Sequence, residues 1–249
     1  MIGYLNGCAN MPEYLNIILL TSLAGLCIPI GGLIASIESI RPYWLEKELR
    51  HFLIAFGGGI LLGAVTTVLV PEGMHNLPSQ FIAIAILILG ALSFFFIERQ
   101  LGLKRRESPQ LMGMTLDFVP EAIALGGLVA TGSSTALMLA LLIGLQNLPE
   151  GFNAFRELKE QNKSTKTTLM IMFLLVPLGP LAGLFGYYVL AGHQAMLGAI
   201  MLFASGGILY LIFQDIAPQS KLKKHWGPPL GAVFGYALVL FSNMLIGHS

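Results

Sequence analysis

The sequence predicts an all-α polytopic membrane protein, a single domain over residues 1–249 with eight transmembrane helices in a bundle. Its 249 residues are 55% hydrophobic and 11% charged, and the mean hydropathy is +0.75. Soluble domains usually carry about 25% charged residues. The hydrophobic residues form long runs, and the connections between the runs are too short to bury a core of their own. The membrane bundle is therefore predicted to be the whole functional unit.

Each run is close to the length of about 20 apolar residues that a helix needs to cross a bilayer. We number the predicted spans one to eight in chain order. Their predicted bounds are 14–40, 50–71, 79–98, 110–131, 135–157, 167–191, 195–215 and 228–247.

The basic residues support this count because they are sorted by connection. All 14 Lys and Arg follow spans one, three, five or seven, and the alternate connections and both tails contain none. Positively charged loops stay in the cytoplasm, so both termini are predicted to lie outside it. A soluble helical protein has no reason to distribute its charges in this way.

Spans four and five contain two copies of one motif. Its cores are Leu116-Asp117-Phe118-Val119-Pro120-Glu121-Ala122 and Leu145-Gln146-Asn147-Leu148-Pro149-Glu150-Gly151, and positions 116–125 align with 145–154 without a gap. An acidic side chain at the middle of a bilayer costs about 2.5–3.5 kcal/mol on insertion scales. The sequence therefore predicts a polar cavity or a bound cation beside these acids.

A weaker similarity links spans two and seven. Gly58-Gly59-Ile60-Leu61 precedes Pro71-Glu72 much as Gly206-Gly207-Ile208-Leu209 precedes Pro218-Gln219, although the alignment needs a one-residue gap. Repeats with proline-interrupted helices at corresponding places often mark the midplane site of a transporter.

The spacing of the polar residues predicts that they converge. Residues four apart share a helix face, so Asp117 and Glu121 line one face of span four, and Gln146, Glu150 and Asn153 line one face of span five. Because the two spans are antiparallel, Asp117 is predicted to lie level with Glu150, and Glu121 level with Gln146. At a rise of 1.5 Å per residue the two layers are about 6 Å apart.

The prolines add backbone acceptors to this arrangement. Pro120 and Pro149 have no amide hydrogen, so the carbonyls of Leu116 and Leu145 lose their helical donors. Carboxylate, amide and carbonyl oxygens together suit a hard or borderline divalent cation. The predicted metal ligands are Asp117, Glu121, Gln146 and Glu150, followed by Asn147, Asn153 and Asp215. No prosthetic group is expected.

Simpler interpretations remain for the individual residues. A single proline in a span is often only a kink, a single buried Glu can be protonated, and amides often join helices by hydrogen bonds. The duplication favours ligands at the motif itself. Outside it, Asp215 with Gln214 is a candidate exit or regulatory group, Glu72 and His75 are candidate entrance groups, and Glu38 is the weakest candidate.

Through Pro120-Glu121 and Gln146-Asn147-Leu148-Pro149-Glu150-Gly151 the chain resembles the ZIP (Zrt/Irt-like protein) family of divalent metal transporters. The resemblance extends over all eight spans. It implies uptake of Zn²⁺, Mn²⁺, Fe²⁺ or a related ion into the cytoplasm, through a paired metal site between spans four and five and an elevator-like movement. It also implies a multi-pass protein of the plasma membrane. The expected partners are the divalent metal ions and the lipid bilayer, a homodimer is left open, and no nucleic acid is expected.

Two positions depart from the family motif. Asp117-Phe118 stands where the family has His-Asn, and Val176 stands where span six usually has Glu. The resemblance then implies one bound metal instead of a binuclear pair. An oxygen-rich site also favours Mn²⁺ or Fe²⁺ relative to Zn²⁺.

Three other functions compete with metal transport. An intramembrane enzyme is disfavoured, since the chain contains no HExxH or GxSxG motif. A proton-coupled carrier of another solute would use Glu121 and Glu150 as proton relays. A member of the same fold that has lost transport would serve as a metal sensor or scaffold.

Overall fold

A computed structural model describes residues 12–37, 43–104, 109–161, 164–222 and 225–246. These residues form helices and short connections, and no strand occurs among them. The predicted all-α fold is therefore confirmed. Apolar side chains cover much of the outer surface, for example Phe81, Phe213 and Leu174, which are 85%, 71% and 67% exposed. A surface of this kind is compatible with a membrane bundle.

The helices follow the predicted spans closely. In chain order they are α1 Glu13–Ile37, α2 Tyr43–Ala64, α3 Val70–His75, α4 Gln80–Lys104, α5 Pro109–Ala130, α6 Thr135–Glu160, α7 Thr165–Leu175, α8 Leu178–Leu190, α9 Gln194–Leu211, α10 Ala217–Ser220 and α11 Leu230–Ile246. A π-helical segment, Val65–Leu69, joins α2 to α3, and a second, Ile212–Ile216, joins α9 to α10.

Seven of the helical units in the described part of the chain are long and apolar enough to cross a membrane. Three of them combine more than one helix: Lys47–His75 and Gln194–Ser220 run through the π-helical segments, and Thr165–Leu190 joins α7 and α8. The eighth predicted span corresponds to α11, an apolar helix of 17 residues that is shorter than the predicted 228–247. The number of membrane crossings and the side of the termini therefore stay predictions.

Several predicted boundaries differ from the observed ones: α2 begins at Tyr43 instead of residue 50, α4 ends at Lys104 instead of residue 98, and the unit containing α9 continues to Ser220 instead of residue 215. Predicted span six, 167–191, is divided at Val176 and Pro177 into α7 and α8, because Pro177 cannot donate a helical hydrogen bond. Predicted span two, 50–71, continues to His75, because the π-helical segment carries the helix past Pro71.

Glycines allow four helix pairs in the described bundle to pack at very short range: α1 with α6, α5 with α8, α2 with α11, and α4 with α9. In each pair, a Cβ on a glycine of either helix would overlap a carbonyl oxygen of the other. The glycines concerned are Gly31 and Gly151, Gly126 and Gly186, Gly59 and Gly231, and Gly90 and Gly206. Small residues at helix crossings are the usual means of close packing in membranes.

The pairs assemble into two groups. The first group contains α1, α5, α6, α7 and α8, and the second contains α2, α3, α4, α9, α10 and α11. The groups meet chiefly where α2 packs against α6 and where α9 packs against α5. Both helices of the repeated motif, α5 and α6, therefore border the second group.

The two π-helical segments have the same register relative to a proline. The amide of Val70 donates to the carbonyl of Val65 just before Pro71, and the amide of Ala217 donates to the carbonyl of Ile212 just before Pro218. When the two π-helical segments are superposed, Pro71 corresponds to Pro218 and Gly59 corresponds to Gly206. Spans two and seven then align without the gap that the sequence comparison required.

Candidate functional site

The predicted polar residues meet between α5 and α6. The amide Nε2 of Gln146 donates a hydrogen bond of 2.6 Å to Oε2 of Glu121, and both side chains are fully buried. This contact agrees with the predicted levels, because the antiparallel helices bring these two residues opposite each other.

The second predicted layer lies beside the first. Asp117 and Glu150 are 3% and 8% exposed, and each lies close enough to Glu121 for their charges to interact. Asp117 and Glu150 also line the same cavity. The structure therefore brings the three acidic side chains of the motif into one buried neighbourhood.

This neighbourhood contains many acceptor atoms and few donors. Among the described residues, buried oxygens without a hydrogen-bond partner include Asp117 Oδ1, Glu121 Oε1, Gln146 Oε1, Asn147 Oδ1, both carboxylate oxygens of Glu150 and Asn153 Oδ1. Buried polar atoms in folded proteins are nearly always paired, and each unpaired one costs about 1–3 kcal/mol. Such a concentration of free acceptors is expected at a site for a cation or for protons.

A cavity opens on one side of the acids. The volume open to the centre of a water-sized sphere is about 20 Å³, which is enough for one water molecule or one ion. Asp117, Glu150, Asn153, Asp215 and Met114 contribute to its wall. These residues lie toward the side that the charge pattern predicts to be cytoplasmic.

Asp215 reaches this cavity from the other helix group. It lies in the second π-helical segment and is 7% exposed. The sequence placed it only near the inner end of span seven. The structure adds that it faces the same cavity as Asp117 and Glu150, so both groups contribute acids to the wall.

The two asparagines use their amide nitrogens within the helix bundle. Nδ2 of Asn147 donates to the carbonyl of Ala24 in α1 at 3.0 Å, and Nδ2 of Asn153 donates to the carbonyl of Pro149 at 2.9 Å. These bonds orient the side chains and leave both amide oxygens without a donor. Asn153 also lines the cavity, whereas Asn147 faces α1.

Apolar groups occupy the region around Phe118 and Val176. Phe118 is 1% exposed, and a Cβ built on Gly25 would lie 3.2 Å from its ring and 3.3 Å from the carbonyl oxygen of Val176. A Cβ on Gly179 would lie 2.7 Å from the same ring. The ring therefore packs where α1, α5 and the junction of α7 and α8 meet, and it offers no ligand atom there.

The outer candidate Glu72 has hydrogen-bond partners that the sequence did not reveal. Its Oε1 accepts from Oγ1 of Thr135 at 2.9 Å and from Oγ of Ser133 at 3.5 Å. The bonds tie α3 to the start of α6. His75 is exposed, and Glu38 lies outside the described residues.

Two further side-chain contacts join described residues on the predicted cytoplasmic side, and the sequence does not reveal them. Arg50 in α2 pairs with Glu160 at the end of α6 at 2.5 Å, and Glu48 contacts His225. Both contacts are partly exposed, and neither reaches the buried acids.

As placed in the structure, the buried acidic side chains do not form a complete coordination sphere for a metal ion. Within the described ranges, no group of three or more His, Cys, Asp or Glu is arranged so that it could hold a metal ion. An ion bound here would need amide oxygens or water in addition to the carboxylates, or a small movement of the side chains.

Comparisons with known proteins do not assign the chain to a family. No family model matches the chain, and no curated protein matches it.

Proposed function

We propose that this chain is a divalent metal transporter that resembles the ZIP family and moves Zn²⁺, Mn²⁺, Fe²⁺ or a similar ion into the cytoplasm. The observation that carries the proposal is the set of unpaired acceptor oxygens between α5 and α6. Most of these oxygens belong to three neighbouring acids and to Gln146, and a positive ion is a partner that could accept several of them at once. The chain would act as a multi-pass carrier in the plasma membrane.

The ligands would come from both copies of the motif. Glu121 and Gln146 form one layer, and Asp117 and Glu150 form the other. Gln146 donates its nitrogen to Glu121, which leaves its amide oxygen free to bind the ion. Oxygen ligands of this kind favour Mn²⁺ or Fe²⁺ more than a site containing imidazole would.

One ion is expected at the site. The family's second metal position would need ligands at Phe118 and Val176. The ring of Phe118 and the backbone of Val176 both pack against Gly25, so this region is filled by groups that do not bind metal.

The division into two helix groups supports an elevator-like movement. The four glycine-packed pairs lie within the groups, so each group is expected to move as a unit. The acids lie at the border, where α2 and α9 face α6 and α5. A shift of one group along the other would expose the acids first on one side of the membrane and then on the other.

Metal content of cells tests the proposal directly. Cells that express the chain should accumulate one or more of Mn, Fe, Co, Zn and Cd, whereas cells with Glu121→Ala or Glu150→Ala should not. Glu160→Ala is a matched control, because Glu160 lies at the exposed end of the same helix as Glu150. Unchanged accumulation in both site variants, with normal membrane insertion, would refute the site.

A proton-coupled carrier of another solute is the second candidate. Its support is that the acids interact with one another without forming a group of three that could hold a metal. Thermal stabilisation of the purified protein by metal separates the two functions. A metal transporter should be stabilised by its ion, and Glu150→Ala should remove the effect. Metal stabilisation that persists in Glu150→Ala would favour the second candidate or a protein without transport. So would a lack of stabilisation of the original chain by any of the five metals.

A further inference from the structure

The helices α2 and α11 begin at the same end of the molecule. Gly231 of α11 packs against the carbonyl oxygen of Phe52 in α2, and a Cβ there would overlap it. One turn further along both helices, Gly235 packs in the same way against the carbonyl oxygen of Phe56. The two helices are therefore parallel, and both begin on the side that the charge pattern predicts to be cytoplasmic.

An apolar groove lies between the two helices near this end. Its walls include Leu49 and Phe52 of α2 and Leu230 and Phe234 of α11, and we call it the inner groove. The ring centroids of Phe52 and Phe234 are 6.1 Å apart. The volume of the groove is about 320 Å³, compared with about 20 Å³ for the cavity beside the acids. The inner groove is thus large enough for a segment of a hydrocarbon chain, and its apolar walls offer water few partners.

Basic side chains adjoin the inner groove. Lys47 is exposed and precedes Glu48, which is the acid of the groove wall among the described residues. Glu48 contacts His225, and this contact holds the segment that follows the exposed Lys221 against α2. The sequence places three lysines and no acid at positions 221–226. The end of the groove therefore has a net positive charge, and its one acid already has a partner.

An exposed indole indicates the depth of the groove in the membrane. Trp226 is 92% exposed, and the next residue, Gly227, lines the groove. Tryptophan is enriched where lipid headgroups meet hydrocarbon, because its ring has an apolar body and a polar nitrogen. Phe52 follows Lys47 by five residues of α2, which is about 8 Å along the helix axis. The basic groups are then level with the headgroups, and the apolar walls are level with the first part of the acyl chains.

We propose that the inner groove binds one anionic phospholipid of the cytoplasmic leaflet, with its phosphate near Lys47 and Lys221 and one acyl chain along Phe52 and Phe234. The cytoplasmic leaflet is the anionic one, so its lipids complement the charge at this end of the groove. A zwitterionic lipid would meet the same apolar walls but would gain less from the lysines. The proposal goes beyond the function proposed above and does not depend on the identity of the transported ion.

Quenching of Trp226 fluorescence by brominated lipid tests the proposal. The chain contains two tryptophans, so Trp44→Phe leaves Trp226 as the only indole. The protein is placed in phosphatidylcholine vesicles with increasing amounts of either phosphatidylglycerol or phosphatidylcholine that is brominated near the headgroup end of one chain. Half-maximal quenching should need at least about fivefold less brominated phosphatidylglycerol, since each lysine near the headgroup contributes about that factor. Equal quenching by the two lipids would overturn the proposal.

A pair of lysine variants tests the headgroup contact. Lys221→Gln should reduce the preference for phosphatidylglycerol about fivefold. Lys166→Gln is the matched control, because Lys166 is an exposed lysine on the same predicted side, at the start of α7 in the other helix group. The control should keep the full preference. Equal effects of the two variants would show attraction to the whole basic surface and would overturn the site.

A pair of leucine variants tests the groove. Leu230 and Leu245 are exposed leucines at opposite ends of α11, and only Leu230 lines the groove. Leu230→Gln adds a polar group to the groove wall and should weaken quenching by brominated phosphatidylglycerol, whereas Leu245→Gln should not. Quenching that Leu230→Gln leaves unchanged would overturn the acyl-chain contact.

Thermal unfolding of the detergent-purified original chain gives a second readout if Trp44→Phe does not fold. Phosphatidylglycerol should raise the midpoint more than phosphatidylcholine does, and Lys221→Gln should remove this difference. Equal stabilisation by inorganic phosphate would overturn a lipid as the ligand. Both measurements use metal-free buffer. Loss of metal uptake with an intact preference for phosphatidylglycerol would refute the proposed cargo and leave the lipid site standing.

Discussion

Two glycines of α6 should respond in opposite ways to the same substitution. Gly144 and Gly151 both face α1. A Cβ on Gly144 would lie 3.5 Å from Sγ of Cys27, which is an ordinary contact, whereas a Cβ on Gly151 would lie 2.9 Å from the carbonyl carbon of Ile28 and overlap its oxygen. Ala is therefore tolerated at position 144, whereas Ala at position 151 would push the backbones of α1 and α6 apart.

The magnitude follows from two terms. Replacing Gly by Ala within a helix favours folding by about 0.8–1.0 kcal/mol, and this term is common to both variants. Overpacking a close contact costs about 1–3 kcal/mol, and it applies only to Gly151→Ala. The two variants should thus differ by about 1–3 kcal/mol, and a protein of this size loses about 2–4 °C in midpoint per kcal/mol.

Thermal unfolding of the detergent-purified protein is the assay. Gly144→Ala should unfold at or above the temperature of the original chain, and Gly151→Ala several degrees below Gly144→Ala. Gly151 follows Glu150 directly, so Gly151→Ala should also reduce metal uptake. Equal midpoints for the two variants would refute the close packing of α1 against α6.

Four other outcomes are expected. Asp117→His should shift uptake toward Zn²⁺ relative to Mn²⁺ in a competition assay, because imidazole suits zinc; an unchanged ratio would contradict the assigned ligand. Phe118→Asn combined with Val176→Glu should raise the number of metal ions bound to the purified protein from one to two. Phe118→Ala removes the same packing without adding a ligand, so it should leave the number at one. Arg50→Ala should change the free energy of unfolding by no more than about 1 kcal/mol, since its pair with Glu160 is partly exposed; a larger loss would show that the pair ties the groups together. Metal-induced stabilisation should weaken as pH falls, because protons compete with metal for carboxylates, and a pH-independent effect would point away from these acids.

The helices were predictable because length and hydrophobicity determine them. Each predicted span overlaps an apolar helix or a unit of several helices, and the pairing of Glu121 with Gln146 at one level follows from helix rise and direction alone. The π-helical segments were not predictable, because an amide that bonds five residues back leaves no mark in the hydrophobic pattern.

Long-range partners were the other part that the sequence could not provide. Asn147 donates to Ala24 because glycines let α1 approach α6, and no local signal links residues so far apart in the chain. The sequence makes Glu72 a candidate entrance group but does not reveal its partners, because Ser133 and Thr135 lie at a short connection whose composition resembles any turn.

For the proposed function, the small size of the inner cavity bears on which ions can bind. A space for about one water molecule cannot admit an ion with its full hydration shell. An ion would have to exchange most of its bound water for carboxylate and amide oxygens before it passed. Mg²⁺ gives up water reluctantly, so a cavity of this size would disfavour Mg²⁺ without any ligand that recognises it.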